Sequence, residues 1–505
     1  MSQRYVLGVD AGQTAIKAVL HDEELRPISV ARRASPLDTS TPRHAERSHD
    51  ELWAAAADAI GDAISRAGID PAAIVAVAIT GHGDGLHLVD AAGDAVGPAI
   101  TAVDSRAFGE VDELLADADR TRTVLELSGQ VPTAGSPGPL LKWVANNRPK
   151  ELERASAMLS CKDVIRLRLT GRVSTDLSDA SASFLDTRRA HWSSEILDAY
   201  GLGGLDRLLP ELQCGGDAAG SVRHEAAERT GLAEGTPVIA GVHDVQAAAI
   251  GLGALIPDRL ALVAGSFSTN GVTTTRDDVD PRWQSRLSIR PDLRIAMSTS
   301  PTASPALEWL LGLLGITDVA QRDRLFAEAA ALDPQEKVPF VLPFFYASPL
   351  GADASAVLAG VRGWHSRAHI LRGMLEGIAL MHVWHTQALA ERFEWDETVV
   401  LGGGISNSPL YVRLVANALR APIRVIHNEE PGAFGAAALA AVSQGLFPTI
   451  EAAQEKVVGS PVVEPTDESA AYWEEARASL GTLGSALEPW WSAHRSGTQE
   501  KEVRR

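Results

Sequence analysis

Two runs of alternating apolar and polar residues open the chain, joined by a polar turn. In YVLGVDAGQTAIKAVL (Tyr5–Leu20), the arms Val6–Val9 and Ile16–Leu20 flank Asp10, Gly12, Gln13 and Thr14. Alternation around a glycine-containing turn predicts a β-hairpin. The same pattern returns roughly half a chain later in LALVAGSFSTNGVTT (Leu260–Thr274), with Gly265 and Ser266 in the turn. Two such elements predict a duplicated fold in which each half opens on a hairpin. Between them, Ser48–Arg66 reads as a helix with Ser48 and Glu51 spaced as a capping box, and Ile74–Thr80 and Thr236–Val242 read as buried strands. Beyond the second hairpin, the pattern predicts a helix at Glu308–Leu314, a strand at Val338–Pro343 and a Pro/Gly-rich loop at Phe344–Asp353. A long helix at His365–Arg392 and a strand at Thr398–Leu401 follow. Next come Gly402-Gly403-Gly404 and a helix at Tyr411–Leu419, then a strand at Ile423–Ile426 and a small-residue helix within Pro431–Gln444. The charged end, Gly497–Arg505, reads as a disordered tail.

Composition narrows the picture. The chain has 505 residues, 45% hydrophobic and 22% charged, enough for two or three domains of ordinary globular composition. A formal net charge of −19 argues against nucleic acid or an anionic membrane as main partner. It leaves room for a nucleotide, whose charge is handled locally. Two cysteines, Cys161 and Cys214, make neither a disulfide framework nor a zinc site and point to a reducing, cytoplasmic setting. The start MSQRYVLG lacks the apolar core of a secretion signal. No apolar run of about 18 residues suggests a membrane span.

The candidate chemistry sits in turns at strand ends, where α/β proteins place their ligands. Asp10 leaves the first strand beside Gly12, whose backbone N–H groups suit an anion. A Mg²⁺ between that carboxylate and a phosphate reconciles their charges; an edge hairpin with a solvated Asp is the plainer alternative. The strand at Ile74 ends in Gly81-His82-Gly83-Asp84-Gly85, and another ends in Asp104-Ser105-Arg106. Asp104 and Arg106 read equally as a surface ion pair. His243-Asp244 stands at a strand-to-helix junction, where Asp244 is either a helix N-cap or a catalytic group. Gly402–Gly404 lets backbone approach a flat or anionic ligand. Neither the Walker A pattern nor the dinucleotide G-x-G-x-x-G pattern occurs.

Five stretches, taken together and in order, carry a resemblance: DAGQTAIKA (Asp10–Ala18), AVDSRA (Ala102–Ala107), GVHDVQAAAIG (Gly241–Gly251), AGSFSTNG (Ala264–Gly271) and GGGISNSPLYVRLVANALRAPI (Gly402–Ile423). The chain resembles the FGGY family of carbohydrate kinases over roughly residues 4–460. AERSHDELW (Ala45–Trp53), GHGDGL (Gly81–Leu86), SPTASPALEW (Ser300–Trp309) and LPFFYASPLG (Leu342–Gly351) resemble its L-xylulose/3-keto-L-gulonate and erythritol kinase branch. Four positions depart from common family residues: Gln13, Ala102, Arg413 and Asn417.

The resemblance implies an α/β, duplicated ribonuclease-H-like fold of the actin, sugar-kinase and Hsp70 type, with two domains around a central cleft. It implies an N-terminal domain over 1–255, a C-terminal domain over 256–450, and C-terminal helices with a flexible tail over 451–505. The implied activity is ATP-dependent phosphorylation of a terminal hydroxyl of a small linear sugar or polyol, with ATP and Mg²⁺ as cofactors. Asp244 is implied as general base, and Asp10 and Asp244 as the metal-side carboxylates. His82, Asp84, Asp104, Arg106, His243 and Asp244 are implied at the sugar. Gly12, Gln13, Thr14, Gly265, Ser266, Gly403, Gly404 and Asn407 are implied at the nucleotide. Lys17 reads as structural. Similar proteins are commonly homodimers. A nucleotide-binding regulator or chaperone on the same fold is the competing expectation, and it would leave Asp244 and the 82–106 cluster without work. Asp84, an acceptor-only group among glycines, favours a neutral polyol or ketose over a sugar acid.

Overall fold

The computed structural model describes residues 3–346, 348–350 and 354–502, with side chains to residue 494. The chain divides into two units: Met1–Pro257 with Thr273–Ala296 and Asn428–Val458, and Asp258–Val272 with Met297–His427 and Gly459–Arg505. These units do not follow the linear cuts expected at 255 and 450. Of the segments that return to the first unit, Asn428–Val458 brings the helix Pro431–Ser443, which packs on its sheet.

In the first unit, β1 (Tyr5–Ala11), β2 (Ala15–His21) and β3 (Pro27–Ala34) form an antiparallel meander. On the other side of β1, β4 (Ile74–Gly81) and β6 (Pro237–Ile239) run parallel to it, and β5 (Ala218–Ser221) closes the edge. The parallel register matches Asp10 with Thr80 and Ala11 with Gly81, and a bridge pairs Gly81 with His243. Three strand ends thus finish at one level. The Thr80 hydroxyl donates to the Val242 carbonyl at 2.6 Å and pins two of them together.

Helix α1 (His49–Ala67) covers one face. Ser48 caps it by accepting from the Asp50 and Glu51 N–H groups, and Gly68 ends it in the left-handed conformation. Leu52, Ala56, Ile60 and Ala63 bury their side chains in a core with Leu7, Val9, Ile16 and Ile79.

The other face takes α2 (Asp244–Gly251) and α3 (Pro431–Ser443), two small-residue helices. A side chain at Gly8 would fall 2.0 Å from the Ala433 carbonyl; one at Gly435 would fall 2.1 Å from that of Ala247, and one at Gly251 2.2 Å from that of Pro431. Backbone therefore lies on backbone, and the run PGAFGAAALAA is what permits it.

The second unit repeats the plan. Strands β7 (Arg259–Ala264) and β8 (Ser268–Thr274) form the second hairpin, within a six-stranded sheet whose order is the strand Gln284–Leu287, then β9 (Arg294–Ser300), β8, β7, β10 (Val399–Gly402) and β11 (Ile423–Val425). Again neighbouring strands β7, β10 and β11 run parallel, with Val263 opposite Gly402. The long helix Arg367–Ala390 is buried along most of its length. The loop expected over Phe344–Asp353 lies partly outside the described residues. The final helix, Ala470–Glu502, runs into the stretch read as a disordered tail, whose last three residues lie outside the described residues. Among the described residues no helix is long and apolar enough to cross a membrane.

Gly8→Ala is expected to lower the unfolding free energy by about 1–3 kcal/mol, because the added methyl meets backbone that cannot swing away. Urea denaturation checks this, and an unchanged midpoint contradicts the packing described.

Candidate active site

The level strand ends of the first unit gather Asp10, His82 and Asp244. Asp10 closes β1. A side chain at Gly432, in the first turn of α3, would fall 2.9 Å from the Asp10 carboxylate. Lys17, its register partner on β2, places Nζ 3.9 Å from Asp10 and 2.8 Å from Glu430. Arg32 also pairs with Glu430. Lys17 therefore reaches the site, which its reading as structural did not anticipate. Burial pushes the Asp10 carboxyl up to about 7; Lys17 pulls it down, while the charges of Asp244 and Glu430 add to the rise.

Asp244 opens α2, and the N-cap position belongs to its neighbour His243. The cap alternative for Asp244 thus falls away. Its carboxylate meets His243 Nδ1 at 2.9 Å and keeps 38% of its side-chain surface open. Enclosure works against its charge, and the adjacent imidazole more than compensates, so its carboxyl lies below the ordinary value and is ionised at neutral pH. The other ring nitrogen of His243, Nε2, lies 3.0 Å from Arg286 Nη1. A guanidinium only donates. Nε2 thus faces a donor, while Nδ1 lies against both the Asp244 carboxylate and, at 3.2 Å, the Val245 N–H; burial lowers the proton affinity of the ring, and the charge and hydrogen bond of Asp244 together raise it by more.

Arg286, on the strand Gln284–Leu287, is the hub that sequence reading missed. It also donates to both Asp84 oxygens, at 3.0 and 3.2 Å, and to Gln130 Oε1 at 3.0 Å. Asp84 is consequently neither bare nor a solvated turn residue. It sits at φ 57°, a left-handed conformation unusual for a non-glycine residue, and the fork of Arg286 holds it there. Gly83 is required beside it, since a side chain would fall 1.8 Å from the His243 ring. Nothing in SRLSI distinguishes Arg286 from an ordinary strand residue.

His82 is buried and neutral. Burial, with help from Arg47, drives its imidazole down to about 4, and neither ring nitrogen has a partner within the protein. Asp104 and Arg106 form a closed pair rather than a surface one: their side chains are 0% and 1% exposed. Asp104 accepts from the Ala45 and Arg106 backbone N–H groups and from the Arg106 guanidinium. Arg106 also pairs with Glu46 and lies over the Trp143 ring. None of their hydrogen bonds runs to His82, Asp84, His243 or Asp244. In the first hairpin turn, Gly12 and Gln13 are half-buried and Thr14 is exposed; the Gln13 carbonyl accepts from Arg47.

The second unit holds the other glycine turns. Gly265 and exposed Ser266 follow β7, and Gly403 and Gly404 follow β10. Gly403, at φ 98°, lies where a side chain would fall 2.5 Å from the Ala264 backbone, so the two turns are adjacent. Gly404–Asn407 forms one tight helical turn with Asn407 exposed, and Ser408 caps the helix Pro409–Leu419.

Comparison with known proteins matches the FGGY carbohydrate-kinase N-terminal domain over residues 5–251 and the C-terminal domain over residues 260–444. The chain belongs to the FGGY family of carbohydrate kinases. It is 29% identical over 455 residues to the L-xylulose/3-keto-L-gulonate kinase of Escherichia coli, covering 89% of this chain and 90% of that one. It is 28% identical to the autoinducer-2 kinase of Salmonella typhimurium, covering 94% and 93%. The crystal structure of xylulose kinase from Rhodospirillum rubrum shares the fold, with a TM-score of 0.88 and 24% identity over 97% of this chain and 100% of that one. This carbohydrate kinase is thus an enzyme, and the expectation of a regulator or chaperone without sugar chemistry is set aside.

Arg286→Gln is expected to cost the kinase about 3 kcal/mol, the low end for breaking a buried pair, because Asp84 remains 22% exposed. Adding Asp84→Asn should recover part of that loss. A double-mutant cycle by urea denaturation checks it, and additive losses contradict the pairing.

Proposed function

We propose that this kinase transfers the γ-phosphoryl group of ATP to a terminal hydroxyl of a small neutral linear sugar or polyol, such as L-xylulose or an erythritol-like polyol. The observation that carries this reading is Asp244: an ionised, partly open carboxylate at a helix start, held by the His243 imidazole 2.9 Å away. A carboxylate so held can take the proton of an attacking hydroxyl, worth about 10²–10⁴-fold in rate.

The remaining residues fit supporting roles. Among the described residues no group of three or more His, Cys, Asp or Glu side chains forms a metal cage. Mg²⁺ does not need one; it commonly takes one or two carboxylates together with waters and phosphates. Asp10, driven up by burial and by the charge of Asp244, is a carboxylate whose ionisation a divalent cation would favour. Asp10, with Asp244 beside it, would hold that ion. Bound there, Mg²⁺ supplies charge neutralisation for the transferring phosphoryl group. Gly12, Gln13 and Thr14 offer a turn for phosphate oxygens. Gly265 and Ser266, with Gly403, Gly404 and Asn407, offer exposed turns for the rest of the nucleotide. His82 brings two free ring nitrogens to the sugar side. Asp84 takes sugar hydroxyls while anchored by Arg286, and Asp104 and Arg106 act by holding the neighbouring loop. A reducing, cytoplasmic setting suits the two free cysteines.

Asp244→Asn should reduce sugar phosphorylation to below about a tenth of wild type while leaving ATP affinity and the unfolding midpoint near wild type. Retained turnover removes Asp244 from the role of base. Asp10→Ala should weaken productive use of Mg·ATP and spare sugar affinity. A collapse of sugar affinity with unchanged nucleotide use would place Asp10 at the sugar instead.

A further inference from the structure

Behind His243 lies a buried ionic cluster that the reading above leaves without a role. Lys162 Nζ meets Asp163 at 2.6 Å, Asp176 at 2.8 Å and Asp179 at 3.1 Å, and Arg166 adds a second cation 3.0 Å from Asp163. Nearly every acceptor in the cluster is used. Asp163 Oδ2 takes the hydroxyls of Ser160 and Thr175, and Asp176 Oδ2 takes the N–H and hydroxyl of Ser178. Asp179 is different. Its Oδ2 receives Lys162 and shares the Ser160 hydroxyl with Asp163, but its Oδ1 has no hydrogen-bond partner within the protein, although the side chain is 3% exposed. An orphaned buried acceptor is costly and calls for an explanation.

The position of that oxygen supplies one. A side chain at Gly83 would fall 2.8 Å from Asp179 Oδ1 and would also strike the His243 ring. The orphan oxygen and the imidazole that orients Asp244 therefore face the same glycine. Asp179 also lines a small cavity of about 20 Å³ with Asp84, Gly85, Ser183 and Trp192. That volume admits one water-sized group. Burial lifts the Asp179 carboxyl to about 6, with Lys162 pulling it back. At neutral pH it is mainly ionised and only accepts, so its complement is an O–H donor. A carbonyl, carboxylate or phosphate cannot fill that role.

We propose that Asp179 Oδ1 receives a single hydroxyl of the sugar in this cavity, making Asp179 a specificity-determining residue that requires an alcohol, and rejects an acid group, at that carbon. The proposal rests on the carbohydrate-kinase reading above. A site built to bind a hydroxyl penalises an analogue that lacks it.

The test uses the full-length enzyme and whichever four- to six-carbon ketose or polyol gives the lowest KM, together with each of its monodeoxy analogues. Asp179→Asn keeps an oxygen for Lys162 and turns an N–H₂ donor into the cavity. Ser183→Val fills the cavity without touching the ionic cluster, so it decides the question if Asp179→Asn folds poorly. One deoxy analogue should lose at least about tenfold in kcat/KM with wild type. Both variants should show a similar loss on the parent sugar, chiefly in KM, and no further loss on that analogue, with the KM for ATP unchanged. Wild-type sugar KM in the well-folded variants, or losses that multiply with the deoxy substitution, would overturn the pocket and leave the kinase reading standing. A wild-type enzyme that turns over no member of the panel would overturn the kinase reading and the pocket with it.

Discussion

The structure turns on keeping two carboxylates, Asp10 and Asp244, close together at neighbouring strand ends. Burial lifts the Asp10 carboxyl to about 7, and the like charge of Asp244 adds to the rise. Asp244 escapes it because the His243 imidazole stands 2.9 Å away and favours its charged form. The two groups thus diverge: one is an ionised acceptor, the other a carboxylate that welcomes a cation. The backbone makes their proximity possible. With glycine at positions 8 and 432, α3 settles onto β1, and with glycine at 251 and 435, α2 settles onto α3, at distances that any side chain would prevent.

Much of this was legible in sequence, for local reasons. The alternation around Gly12 and Gly265 and the apolar run before His243 fix hairpins and strand ends without help from the rest of the chain. Ser48 likewise marks the start of α1 through a local cap. Partners distant in sequence were not legible. Arg286 lies 202 positions from Asp84 and sits in a strand whose pattern carries no chemical signal. Glu430, which pairs with Lys17, arrives on a segment near the other end of the chain. Asp104 and Arg106 stand close enough together to suggest a surface pair, and only the enclosing Ala45–Glu46 segment and Trp143 make that pair a buried one. His243 took the cap position beside Asp244, which short-range preference alone would have given to the aspartate.

These partners change the argument about substrate charge. Asp84 was expected to repel an acidic sugar, but Arg286 offsets its charge. The case for a neutral substrate now rests on Asp244 and, behind it, on Asp179, whose free oxygen accepts and cannot donate. Relatives named for L-xylulose and for 3-keto-L-gulonate lie at similar distance from this chain. Family membership therefore leaves the sugar open.

The most direct test of the central claim is ADP release by the wild-type enzyme from Mg·ATP, with and without a panel of four- to six-carbon ketoses, polyols and sugar acids. The account expects ADP formation to depend on a neutral ketose or polyol, at a turnover of about 1–100 per second for the best of them, and to be slow without one. ADP release that is indifferent to added sugar, or that is fastest with a sugar acid, would contradict it.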